Sequence, residues 1–230
     1  IRDNFVEWRY GDVPFCRPYC LTQTAQAMFI RYGIYTREEL PHAVLRLKEI
    51  VGGADNRMQT GVFGVQSLLR VLCEHGMCDL AYDIAMDPEK PSFGATSLWE
   101  FIHTFASGAG DDVSVGRIKS MNHHFWGDIA AWYITYLAGM RINEDLTDAD
   151  RIDISPYFVS ALSYVSASRE MRSGEASAGW QRISENEIRL FVCLPRGAHG
   201  ELKLHDGWRA ASGESLRLSE GGNKFLLKRG

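Results

Sequence analysis

The 230-residue chain is short of positive charge: 25 Lys and Arg stand against 29 Asp and Glu, a formal net charge of −4. A nucleic-acid-binding domain wants a basic stripe, and this balance removes nucleic acid as a partner class. No apolar run approaches the roughly 20 residues that carry a helix across a bilayer, so no membrane-spanning segment is expected. Cysteine is sparse and odd in number: Cys16, Cys20, Cys73, Cys78 and Cys193 cannot all pair within one chain. Only Cys16, Cys20, Cys73 and His75 resemble a zinc-ligand set, and no second pair of matching spacing follows. The cysteines therefore read as buried free thiols, and no metal site is expected. Internal repeats and low-complexity segments are missing as well. The chain opens on Ile1-Arg2-Asp3-Asn4, without Met and without a basic-then-apolar leader, and we expect that a preceding segment has been cut away.

What is present is an ordinary globular composition, 45% hydrophobic and 23% charged. A chain of this size can bury about 70% of the surface its unfolded form exposes, enough for one large domain or two modest ones. Two periods divide it. Up to about residue 141 the pattern is helical. Thr36-Arg37-Glu38-Glu39 forms a capping box ahead of Leu40, Val44, Leu47 and Val51, with Gly52-Gly53 as the stop. Thr60-Gly61 opens a second helix carrying Val65, Leu68, Leu69, Leu72 and Cys73, ending before Gly76. A short one with Met77, Leu80, Ala81 and Ile84 closes at Pro88. Leu98, Phe101, Ile102 and Phe105 mark another. Ile129, Trp132, Tyr133, Tyr136, Leu137 and Met140 step by three and four in the last. With a weaker helix around residues 21–32, six are expected.

After Asp153 the period becomes two. Ile188, Leu190, Val192 and Leu194 alternate with polar neighbours, as do Leu202 with Leu204 and Leu216 with Leu218. Asp206-Gly207 reads as a turn, and Gly221-Gly222-Asn223 as a break before Phe225-Leu226-Leu227. Counting segments near 158–169 and 174–183, six strands are expected. The fold class is mainly α with a β domain: a helical part over 1–145 and an antiparallel β-sandwich over 146–230.

Glu100 sits one turn inside a helix start, directly after Trp99. Ser120-Met121-Asn122-His123-His124-Phe125-Trp126-Gly127 precedes the last helix. A carboxylate, a His, an Asn and several aromatic rings suit a sugar pocket, where rings stack on the sugar and polar groups bind hydroxyls. Ser97-Leu98-Trp99-Glu100 is also a capping box, in which the glutamate merely holds the N–H of Ser97. Residue chemistry alone leaves both roles open. Two histidines at a helix entrance are commonly solvated or capping.

Several segments together resemble bacterial α-L-rhamnosidases of glycoside hydrolase family 78. They are Thr60-Gly61-Val62-Phe63-Gly64-Val65-Gln66-Ser67-Leu68-Leu69, Gly76-Met77-Cys78-Asp79-Leu80-Ala81-Tyr82, Pro91-Ser92-Phe93-Gly94-Ala95-Thr96-Ser97-Leu98-Trp99-Glu100 and Ser120-Met121-Asn122-His123 with Gly127 and Trp132. Ile154-Ser155-Pro156, Gly174, Trp180, Pro195 and Ser212-Gly213 fit the family's C-terminal β-domain. The resemblance implies a partial (α/α)6 toroid followed by a β-sandwich, and hydrolysis of terminal α-L-rhamnosides by inversion. It implies that Glu100 is the general base and His123 a sugar contact; Trp126 is expected, from its residue chemistry, to offer the sugar an aromatic face. It implies no metal or organic cofactor, a rhamnose-containing carbohydrate as the ligand, and a bacterial protein of the cytoplasm or periplasm.

Departures accompany it. Nothing between Ile1 and Arg31 matches the family's aspartate- and arginine-rich general-acid motif. The loop between Pro91-Ser92 and Gly94-Ala95 is shortened, and Ser97 stands for the motif's second Thr. His124 and Trp126 replace what are more often other aromatic or small residues. The chain is therefore expected to be the C-terminal portion of a longer enzyme, completed by its missing N-terminal part and inactive alone. Competing readings are another six-hairpin glycosidase and a non-catalytic or degenerate carbohydrate-binding fragment.

Overall fold

The structure is a computed structural model that describes residues 6–10, 13–18, 21–86, 124–143, 147–213 and 215–230. The chain divides into two compact units, Ile1–Ile129 and Ala130–Gly230.

The first unit opens with an antiparallel pair, β1 (Val6–Tyr10) and β2 (Val13–Pro18), which the helical reading of this region does not contain. Four helices follow: α1 (Gln23–Arg31), α2 (Leu40–Gly53), α3 (Val62–Glu74) and α4 (Cys78–Met86). Thr22 caps α1, its hydroxyl accepting from Ala25 N at 3.1 Å. The expected capping box before α2 forms: Thr36 N–H donates to Glu39 Oε2 at 2.8 Å, and Glu39 N–H to Thr36 Oγ1 at 3.4 Å. The stop of α2 differs from expectation. Gly52 and Gly53 are its last helical residues, and Asp55 and Asn56 take the left-handed conformation instead, at φ 56° and 52°. Short polar side chains that bond locally tolerate that region best after glycine.

Between α3 and α4 the chain turns at Gly76 (φ 74°), where Met77 N–H reaches back to Leu72 O at 2.8 Å. Cys73 and Cys78, both buried, are joined by a disulfide across this turn. The free-thiol reading is corrected there, because the hairpin brings together two cysteines five residues apart. Cys193 is free and exposed. Val65, Leu68, Leu69, Val71 and Leu72 of α3 join Ala27, Leu47, Val51 and Ile84 in the core, each side chain contributing about 1.5–3 kcal/mol for aliphatic groups of leucine size.

A single 3-10 turn over His124–Gly127 leads into α5 (Asp128–Trp132). The expected long helix to Met140 is shorter than its periodicity suggests. A π turn over Tyr133–Leu137 closes it, with Ala138 N–H donating to Tyr133 O at 3.0 Å, and Gly139 reverses the chain at φ 80°. Met140 already lies in a strand. The helix candidate around Leu98–Phe105 and Pro88 lie outside the described residues, which hold five α-helices.

In the second unit β3 (Met140–Ile142) pairs with β4 (Ile152–Ile154). The main sheet has five antiparallel strands in the order β5 (Tyr164–Met171), β6 (Gly174–Ser184), β7 (Glu187–Leu194), β11 (Gly221–Arg229), β9 (Trp208–Ala210). β8 (Gly200–Glu201) pairs with β10 (Arg217–Leu218), and the bridge Ile154↔Leu202 ties that pair to β4. The core fills the space between the sheet's inner face, with Ala178, Trp180, Ile188, Leu190 and Leu227, and this smaller layer, with Met140, Ile154, Leu202 and Leu218. Asp206-Gly207 turns as expected, both at positive φ. Gly221-Gly222-Asn223, expected as a break, lies inside β11, paired with Val192–Leu194 of β7. Alternation in the partner strand supplies the ladder that those residues do not advertise.

Candidate functional site

The two polar residues singled out for the sugar pocket, Glu100 and His123, lie outside the described residues. Trp126 is described and is 1% exposed. Its ring is buried rather than offered to solvent, and His124, two residues before it, is exposed.

The described residues next to that segment are held by specific contacts. Asp128, the first residue of α5, accepts from Arg70 Nη2 of α3 through both carboxylate oxygens, at 3.0 and 3.2 Å. The pair is only about one-fifth exposed on either side (22% and 18%). Together with the buried Trp126 it fixes the chain immediately downstream of Ser120-Met121-Asn122-His123 against the middle of α3. The carboxylate also stands at a helix start, where negative charge meets the unpaired N–H groups favourably.

The N-terminus of α3 is held from the other side. Gln23 is buried on the inner face of α1; its amide donates to Arg57 O at 2.9 Å, and its oxygen accepts from Gln59 N–H at 2.8 Å. The glutamine thus acts as a strand partner for the loop that enters Thr60-Gly61-Val62-Phe63-Gly64. Gln26, fully buried, donates to Ala43 O of α2 at 2.9 Å and accepts from Tyr35 Oη at 3.1 Å. Buried amides satisfied on both ends specify one arrangement, because any slip leaves a donor or acceptor unmet. Gly64 has a steric reason: a Cβ there would meet Thr24 Oγ1 at 2.5 Å and Thr60 Cβ at 2.8 Å. The close approach of α1 and α3 needs that hydrogen.

Sequence reading missed Arg70, Asp128, Gln23 and Gln26. The glutamines left a signal: polar residues at a three-residue step on the face that also carries Ala27 and Ile30. Arg70 and Asp128 left none, since charged residues on helix surfaces are common.

The second unit carries a polar groove lined by Arg141, Asn143, Asp153, Ser155 and Lys203. Asp153 is saturated: Lys203 Nζ lies at 2.7 Å, Arg151 Nε at 3.1 Å and the Glu201 N–H at 3.1 Å. Burial alone would raise its pKa, but the Lys203 and Arg151 hydrogen bonds outweigh that and hold the carboxyl below its usual range. Beside it, His205 stacks on Tyr157 with centroids 4.4 Å apart, and its Nε2 lies 2.6 Å from Ser155 Oγ. Burial and then Arg141 push the His205 pKa down, against a smaller opposing effect of Asp206. A carboxylate with its acceptors engaged and a histidine closed by a serine make an anchor between β4 and the 199–206 segment. Among the described residues no group of three or more His, Cys, Asp or Glu is placed to hold a metal ion.

Comparison with known proteins converges on one family. The profile described as the bacterial alpha-L-rhamnosidase 6 hairpin glycosidase domain matches residues 17–137. The chain is similar to an alpha-L-rhamnosidase of Formosa agariphila, 26% identical over a 217-residue alignment that covers 90% of this chain and 23% of that protein. It is similar to an alpha-L-rhamnosidase of Alteromonas sp. (strain LOR), 27% identical over a 170-residue alignment that covers 71% of this chain and 18% of that one. In fold it is similar to the crystal structure of the Aspergillus terreus rhamnosidase, with a TM-score of 0.78 at 22% identity, covering 95% of this chain and 25% of that chain. The chain thus spans a quarter or less of the length of these relatives. With more than half of its residues inside the family match, it belongs to the bacterial α-L-rhamnosidase six-hairpin glycosidase family.

Proposed function

We propose that this chain supplies the general-base side of a site that hydrolyses terminal α-L-rhamnosides with inversion. The observation that carries the reading is the family match over residues 17–137, a range that contains Glu100, His123 and Trp126. In this reading Glu100 takes a proton from a water molecule on the face of the sugar opposite the leaving group. His123 binds a sugar hydroxyl, and Trp126, buried, supports the pocket from below. In this reading the five described helices are part of a partial (α/α)6 toroid.

Inversion needs a second carboxyl, about 6.5–9.5 Å from the first, to protonate the departing oxygen. We assign that acid to residues outside these 230, in keeping with the quarter or less of their relatives' length that they span. Loss of one acid/base partner costs about 10²–10⁴ in rate, and an incomplete wall forfeits positioning too. The isolated chain is therefore expected to be nearly silent.

The test is release of the aryl group from an aryl α-L-rhamnoside by the complete gene product, by the same protein carrying Glu100→Gln, and by the 230-residue chain. Activity in the first, with loss in the other two, supports the reading. Normal turnover by Glu100→Gln, or by the isolated chain, refutes it.

A further inference from the structure

A sheet with one solvated face ordinarily alternates apolar inward and polar outward. The five-stranded sheet breaks that rule around one residue. Its outward positions include Tyr164 on β5, Phe191 on β7 and Leu226 on β11, which are 70%, 42% and 38% exposed. The register puts Tyr164, Gln181, Arg189 and Leu226 in one row across four strands, and Ser166, Gly179, Phe191 and Lys224 in the next. Phe191, Arg189, Lys224 and Leu226 are thus neighbours on one face, not scattered singly, with Tyr164 two strands away on the same face.

Phe191 does not stand up from the sheet. Its ring lies down across the neighbouring strand, where a Cβ on Gly179 would meet Phe191 Cζ at 2.6 Å and Cε2 at 2.8 Å. Laid over a cross-strand glycine and 42% exposed, the ring leaves part of its surface open to solvent. Directly opposite it on β11 is Lys224, and two residues along β7 is Arg189, both exposed. The nearest outward acids lie at the ends of the strands: Glu170 and Glu175 at the β5–β6 turn, and Glu187 opposite Lys228. The centre of the face is therefore cationic although the chain carries a net charge of −4. Strand spacing puts Tyr164 about 12 Å from Phe191, diagonally across the same face.

We propose that this face is a secondary binding surface for an anionic polysaccharide, a sugar ring stacking on Phe191 while acid groups of the same chain meet Lys224 and Arg189. Charge complementarity selects a polyanion, and the flat ring selects one that carries stackable rings. The choice of carbohydrate rests on the rhamnosidase reading above; the surface itself does not involve Glu100. It would hold a long substrate near the enzyme without taking part in bond cleavage.

The probe is polygalacturonate cast into a native gel, with neutral dextran and a single-stranded oligonucleotide as comparisons, run with the 230-residue chain. We expect retardation by polygalacturonate, none by dextran, and relief of retardation with added salt. Phe191→Ala and Lys224→Glu should each weaken retardation roughly fivefold or more, the scale of removing one central contact. Glu100→Gln should leave it unchanged, which separates failure of this surface from failure of the catalytic reading. Circular dichroism of each variant shows whether it is folded, and Lys224→Glu serves should Phe191→Ala not be. No retardation by polygalacturonate, retardation untouched by both variants, or equal retardation by the oligonucleotide would overturn the proposal.

Discussion

Arg70 and Asp128 meet across the first unit through a single guanidinium nitrogen, Nη2, which sits 3.0 and 3.2 Å from the two carboxylate oxygens. The contact joins the middle of α3 to the start of α5, residues far apart in the chain. Exposed ion pairs are worth about 0–1 kcal/mol, and breaking buried ones costs about 3–5 kcal/mol. With each side chain about one-fifth exposed, Arg70→Ala should cost about 1–2 kcal/mol between those limits. Urea unfolding of Arg70→Ala, Asp128→Asn and the double variant measures it. A coupling energy near zero in that cycle would show that the pair does not hold α5 in place.

The second unit has a comparable anchor. Trp180 is fully buried, donates its indole N–H to Leu137 O at 2.8 Å and receives the edge of Phe158 at 5.4 Å. Trp180→Ala should cost about 3–5 kcal/mol through lost burial and the cavity left behind. Trp180→Phe keeps most of the ring but strands the Leu137 carbonyl, for about 1–3 kcal/mol. Thermal unfolding followed by near-ultraviolet circular dichroism ranks the two. Equal losses would mean that the retained ring contributes nothing, and an unchanged stability of Trp180→Phe would mean that the hydrogen bond contributes nothing.

These anchors mark where the sequence was legible and where it was not. Ile188, Leu190, Val192 and Leu194 announce β7 because alternation and burial coincide, and every one of them is in the core. The box at Thr36 and Glu39 is legible because both partners lie within one turn. β3 and β9, at three residues each, are too short to show a period, and they form because neighbouring strands supply their ladders. The expected last helix runs too far because Met140 continues a helical spacing yet serves a strand in the β core. Of the candidate site, residue chemistry and the family motif name Glu100 and His123, whereas for Trp126 the sequence leaves one thing open. Sequence names an aromatic residue but not how exposed its ring is, and this one is buried.

Gly139 illustrates a constraint set by distant residues. It ends the π turn at φ 80°, and a Cβ there would collide with the backbone of Ser155 and Pro156. Its carbonyl also accepts from Ser155 N–H at 2.7 Å. Ala costs about 1–2 kcal/mol in the left-handed region on conformational grounds, and collision with backbone adds to that because no side chain can swing aside. Gly139→Ala should therefore lose more stability than Gly197→Ala, which has positive φ (81°) but open space around it. Equal melting temperatures for the two variants would mean that the Pro156 segment moves away freely.

His205 gives the second unit a dependence on pH whose direction is fixed. Burial, then the charge of Arg141, lower its pKa from 6.5, while Asp206 opposes weakly. An unfolded chain then binds more protons than the folded one just below pH 6.5, so stability increases with pH through that window. The neutral ring is fully favoured above 6.5, and its contribution is lost as pH falls through the folded value. Asp153 acts separately, over more acidic pH: its folded pKa lies below 3.8, so its contribution is present above that value and is lost only as pH falls further. His75 in the first unit shares the sign of His205, lowered by burial against an opposing Glu74. The informative quantity is therefore a difference in slope. His205→Gln keeps a polar partner within reach of Ser155 but does not titrate, so its urea stability should fall less between pH 7 and 5 than that of the unsubstituted chain. Parallel stability profiles for the two proteins would show that His205 carries no folding-linked proton, and that the stack on Tyr157 is held by packing alone.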